Sequence, residues 1–233
     1  MRYPDASTFE NIIMWAAGTN GPAAIPGAYT VRIHASGTTE SQSFKLMKDP
    51  RSKATQADLA DQFAFLMQVR DETTKANDAV KVIRNLRSQI ADREKKLPAD
   101  KRAAFDSGSN SLMTQLSAIE QEIYQVKNRS GQDPLNYPIK LNNKIAALAG
   151  VASSTDARPT SQTREVFRVL SAQLDAQLTK MRSALTASLP SLNAQLKSAG
   201  VAELVETSVE VPTASSTASD DVTSDEGEDD DGA

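Results

Sequence analysis

Between Leu59 and Ile90 apolar side chains recur in steps of three and four: Leu59, Phe63, Leu66, Val69, Ala76, Val80, Ile83, Leu86 and Ile90, with Thr73 at the one polar step. The mean step of about 3.4 is close to the ~3.5 of a helical seam packed on a neighbour. Thr55 and Asp58 form a capping-box start with Asp in place of Glu, and Pro98 interrupts the pattern. The spacing therefore predicts one helix of about 40 residues, ~60 Å long at ~1.5 Å per residue. A second seam follows at once through Phe105, Leu112, Leu116, Ile119, Ile123 and Val126, and so short a connection predicts an antiparallel helical hairpin. After the turn-rich stretch 128–137, Pro138 opens a short helix carrying Leu141, Ile145 and Leu148, which Gly150 ends. A last helix starts near Pro159 and Thr160 and carries Phe167, Leu170, Leu174, Leu178, Met181, Leu185, Leu189, Leu192 and Leu196. Pro190 inside it removes an amide donor and predicts a kink.

Residues 1–50 follow another rhythm. Tyr29, Val31 and Ile33 alternate with Thr30, Arg32 and His34, the period of two of a half-buried strand. Ser36-Gly37 turns the chain, and Phe44 and Leu46 mark a partner strand, so a β-hairpin with one buried face is expected. Ile12, Ile13, Met14 and Trp15 read as a further short strand. Three strands cannot close a sandwich, which takes roughly seven. The fold class is thus mainly α with a small β part, in three stretches: a β segment over 1–50, an α-helical bundle over 51–200, and an acidic tail over 201–233. The tail is rich in Ser, Thr, Asp and Glu, and its composition predicts disorder.

Charge sharpens that division. All 26 Lys and Arg precede residue 202, whereas 11 of the 30 acidic residues follow it, so a basic body carries an acidic tail. The first residues carry no apolar run behind a basic start, so no signal peptide is expected, and no stretch approaches the ~20 apolar residues of a membrane-spanning helix.

Candidate chemistry is sparse. With no cysteine there is no thiolate nucleophile and no Cys-ligated metal. The single histidine, His34, falls on the polar face of a strand, where a solvated or turn-packed ring is the simpler reading. No glycine-rich phosphate loop occurs. Asp71 and Glu72 diverge around their helix, as do Glu120 and Glu122, and solvated helix faces account for all four. Eight basic residues from Lys81 to Arg102 have no aromatic neighbour to stack on a base, which favours a solvated face over a nucleic-acid groove. No catalytic residue, cofactor or metal site is assigned. The acidic tail folding over this basic stretch in cis is a further expectation.

The runs Arg2-Tyr3-Pro4-Asp5, Pro26-Gly27-Ala28-Tyr29-Thr30-Val31-Arg32, Asp49-Pro50-Arg51, Ile123-Tyr124-Gln125-Val126-Lys127-Asn128 and above all Tyr137-Pro138-Ile139-Lys140-Leu141-Asn142-Asn143-Lys144 carry a resemblance. Over about residues 2–198 the chain resembles the C-terminal region of bacterial β-propeller proteins of the BNR-repeat, sialidase-like or sortilin-type glycosyl hydrolase kind. The resemblance implies that the β segment belongs to an immunoglobulin-like sandwich and that a propeller precedes it. It implies a non-catalytic structural and interaction module, with a fragment contributing to a hydrolase site as the alternative, and a parent protein that is exported. The partners it implies are that propeller or another protein meeting the helical seam, alongside self-association through the seam. Tyr137, Lys140, Asn142, Asn143 and Lys144 form the expected interaction surface. For the two asparagines, capping and loop-tying is the favoured reading.

Overall fold

The structure, a computed structural model, describes residues 1–206, so the tail from residue 207 onward lies outside the described residues. The elements run β1 (Gly27–Ala35), β2 (Thr38–Leu46), α1 (Gln56–Lys96), α2 (Ala99–Ile123), α3 (Leu141–Ala152) and α4 (Ser161–Ser198), with a single 3-10 turn at Asp133–Leu135.

Side-chain pairings give the helix directions. Arg84 and Arg87 of α1 reach Glu120 of α2, and Arg87 also reaches Ser117, so α2 runs antiparallel to α1. Asn77 meets Asn142 and Gln62 meets the Ala152 carbonyl, so α3 is antiparallel to α1 as well, but along its N-terminal half. α4 runs parallel to α1, with Arg164 on Asp61 and Phe167 edge-on to Phe65. α2 and α3 are therefore one helical layer broken in two by residues 124–140. The molecule is a three-layer bundle whose middle layer is interrupted.

One contiguous core fills the space between layers, with Val80, Ile83, Leu86, Leu112, Leu116, Ile123, Ile145, Leu174, Leu192 and Leu196 all within it. The predicted seam of α1 is buried except at Phe63 and Leu66, which are half-buried, and Phe65, absent from that seam, is buried against α4. α1 has two apolar faces because it meets α3 and α4 on one side and the N-terminal segment on another, where Tyr3 packs on Phe63. α4 continues unbroken across Pro190, which sits on its exposed side. There the Thr186 carbonyl, which lacks its intrahelical donor, can take water. α3 begins at Leu141, three residues beyond Pro138, and runs past Gly150 to Ala152.

The first fifty residues depart from expectation. β1 and β2 pair antiparallel in the register Tyr29 to Phe44 and Val31 to Gln42, closed by Ser36 and Gly37 at positive φ, the geometry of a tight two-residue hairpin turn. Yet neither strand packs on a helix. Val31 is 46% exposed and Ile33 62%, so the expected buried face is uncovered. Residues 12–15 form no strand either. They belong to an irregular segment, 1–26, laid along the bundle, because their backbone groups bond to side chains rather than to a neighbouring strand.

Gly21 shows how closely that segment is folded on itself. A Cβ there would lie 2.0 Å from the Tyr3 carbonyl oxygen. Its amide donates to Asp5 at 2.8 Å, and its carbonyl accepts from Arg2 at 2.9 Å.

The capping box at Thr55 and Asp58 forms as expected, and Arg158 joins it from the loop ahead of α4. The Thr55 hydroxyl first, then Arg158, hold the Asp58 carboxyl down from an ordinary 3.8 to about 2. A depressed carboxyl stabilises the fold while ionised, so this contribution is complete above its unfolded value and is lost as pH falls through about 2. Replacing Asp58 by Asn is expected to flatten the acid limb of the melting temperature between pH 4 and 2. An unchanged acid limb would show that the cap and its arginine do not contribute there.

Candidate functional site

The break between α2 and α3 is where polar chemistry concentrates. Tyr124, Gln125 and Asn128 leave the end of α2 yet remain buried. The Gln125 side-chain amide donates to the Pro138 carbonyl at 2.8 Å and closes the loop 126–137. The Tyr124 hydroxyl accepts from the Ile13 amide at 3.1 Å, and its ring meets Phe9 edge-on. The N-terminal segment thus fills the gap that the broken layer leaves.

Two asparagines fix it there. Asn143 accepts from the Trp15 amide at 2.6 Å and donates to the Trp15 carbonyl at 2.9 Å, a side chain standing in for a β-partner. Asn142 donates to Asn77 at 3.1 Å, and Asn77 donates to the Ser7 carbonyl at 2.7 Å. Asn77 and Asn142 are almost wholly buried. Of the five residues expected to form one surface, the structure therefore divides the set. Asn142 and Asn143 face inward, and their side chains bond Asn77 of α1 and Trp15 of the N-terminal segment rather than the loop before α3. Lys144 is exposed, and Tyr137 and Lys140 are half-buried, with Lys140 3.4 Å from Glu122 and Lys127 over the Tyr137 ring at 5.5 Å.

Beside the break lies an open cleft of about 1100 Å³ between α1, α2, residues 9–13 and the 126–131 loop. Four cations line it, Lys81, Arg84, Arg87 and Arg129, against two carboxylates, Glu10 and Glu120. Glu120 is buried and accepts from Arg84 at 2.8 Å and Arg87 at 2.9 Å. One carboxylate between two guanidinium groups leaves positive charge over. Arg84 also lies over the rings of Phe9 and Tyr124, at 4.7 and 5.3 Å, which restricts it to the cleft wall. Lys81 reaches Asp78 and the Ser7 hydroxyl, and Arg129 donates to the carbonyls of Val126 and Asn128.

Two acids read as solvated are thus buried and paired: Glu120, and Glu72, which holds Lys75 at 2.9 Å. A signal for Glu120 was available in its position four residues after Leu116 and three before Ile123, on the seam edge of α2, opposite an Arg pair spaced three apart. His34 is exposed on the hairpin and bonds Thr39 at 2.8 Å. Among the described residues there is no group of His, Asp and Glu that could hold a metal ion, and no helix long and apolar enough to cross a membrane.

No protein-family model, curated protein or solved structure matches this chain. The polar knot has a direct test. Asn77→Leu and Asn142→Leu are each expected to cost about 1–3 kcal/mol, because each leaves a buried amide without its partner. The double variant should cost less than the sum. Denaturant titration of the four-membered cycle reads the coupling, and strict additivity would mean the pair is not a unit.

Proposed function

We propose that this chain is a non-catalytic structural and interaction module, in which the helical bundle is a rigid base and the β-hairpin is the element presented to a partner. One observation carries the reading: an antiparallel hairpin of two nine-residue strands stands off the bundle with an apolar face uncovered. Tyr29, Val31, Ile33, Phe44 and Leu46 share that face, since Tyr29 pairs with Phe44 and the alternation places the others beside them. Two strands alone are marginally stable in water. Both outer edges also offer free ladder groups, which extended chain satisfies best. The partner we assign is accordingly β-structure, a strand or sheet with alternating apolar side chains.

The resemblance to the C-terminal regions of propeller-type glycosyl-hydrolase-like proteins supports the same assignment, because there the β segment would lie within a sandwich. The seam of α1 is taken up by the chain's own helices, which leaves the hairpin as the better-placed contact.

A photo-crosslinking residue at Ile33, in the full chain in its own cells, is expected to give one dominant adduct mapping to a β-strand, lost when Val31 is changed to Lys. Adducts no stronger than those from an exposed control such as Arg182 would overturn the assignment. The non-catalytic part is read with arylglycosides. Turnover by the purified chain, abolished by Glu122→Gln, would defeat it.

A further inference from the structure

The last described residues lie on a track along α1. After α4, Arg93 donates to the Ala202 carbonyl at 2.9 Å, and Gln89 both accepts from the Val205 amide and donates to its carbonyl, each at 2.9 Å. Leu204 between them is buried, with both backbone groups held by Asn193. The chain therefore advances from Arg93 to Gln89, toward the N-terminal end of α1. Residues 93, 89, 85 and 81 are four apart and form one ridge of that helix. Gln89 already touches Asn85 on it, and both Asn85 and Lys81 line the basic cleft. The path thus points into the cleft from one helical turn away.

We propose that this cleft is a binding site for an acidic peptide, and that its occupant is the chain's own C-terminal segment, residues 207–233. Reach and charge each support the assignment. From Gln89 to Lys81 is about 12 Å along the helix, a distance that some four extended residues cover at ~3.3 Å each. Glu210, the first acid of the segment, falls at that span. Residues 207–233 carry nine acids and no Lys or Arg, against a cleft in which cations exceed carboxylates. Attachment at Val205 also gives the segment a high effective concentration at the site, so weak individual ion pairs suffice.

Zero-length carbodiimide coupling of the full chain at low salt tests this directly, since it joins a carboxylate to a lysine only when they touch. Links from acids of 207–233 to Lys81 are expected to exceed links to Lys45 on the hairpin and Lys180 on α4 at least fivefold. They should fall severalfold in 0.5 M salt, where the Debye length drops below about 5 Å. They should also fall when Arg129, whose guanidinium donates to the Val126 and Asn128 carbonyls, is changed to Glu. Changing the acids from Asp220 to Asp231 to amides alters no described residue and should have the same effect. Even yields across the three lysines would overturn the proposal, as would indifference to salt and to both variants. Links between differently isotope-labelled copies would assign the cleft to a neighbour's segment instead, and would overturn the assignment in cis.

Discussion

The bundle depends on a constraint that a layer of broken helix imposes. When α2 stops at Ile123 and α3 starts at Leu141, seventeen residues of backbone cross the molecule without a helical ladder, and part of that crossing is buried. Buried amides and carbonyls must find partners or cost a few kcal/mol each. Within the crossing Gln125 meets this for the Pro138 carbonyl and the Lys127 amide, and Asn77 and Asn143 meet it for backbone groups of the N-terminal segment. Asn77 and Asn143 hold residues 7 and 15, and Asn142 holds Asn77, so this polar group attaches the N-terminal segment beside the break. Packing alone would not select that path. Hydrogen-bond geometry does, since an amide side chain has one arrangement in which both ends are satisfied.

The cleft follows from the same break. A continuous middle helix would have presented side chains all along α1, and would have covered the faces of Lys81, Arg84 and Arg87. With the layer interrupted, these cations border an open space, where Glu120 from the last turn of α2 reaches Arg84 and Arg87 while Lys81 pairs with Asp78. Two guanidinium groups on one carboxylate hold the helices in register and leave the surface basic. Both effects have one cause.

Helix positions were legible in the sequence because seams, caps and stops are local. Thr55 with Asp58 and Thr160 ahead of Ser161 both cap where the pattern placed them, and the leucines of α4 are mostly buried as spaced. The hairpin and its turn were legible for the same reason. What periodicity could not give was environment. Alternation in β1 looks the same whether a sheet covers it or water does, so an uncovered face was read as buried. The run 12–15 is apolar enough for a strand, but its pairing is with Tyr124 and Asn143, more than 100 residues away. Such contacts leave no period. The most distinctive motif, Tyr137 to Lys144, proved to be the far rim of the break, which explains its two buried asparagines without requiring a ligand.

The middle of α1 is where these parts meet. From the start of the chain, Ser7 bonds Thr74, Asp78 and Lys81, and from the last described residues Val205 bonds Gln89. Both approaches use polar residues on the side of α1 that its layered neighbours do not bury. A helix of 41 residues can serve in this way because its two apolar faces already fix its orientation, which frees the remaining face for directional bonds. The hairpin strands, by contrast, pack on no helix, and Gln56 of α1 donates to the Pro26 carbonyl just ahead of them. Loss of its strands would expose little core. Stability therefore rests on the bundle, and the hairpin, which packs on no helix, is the part proposed above to meet a partner.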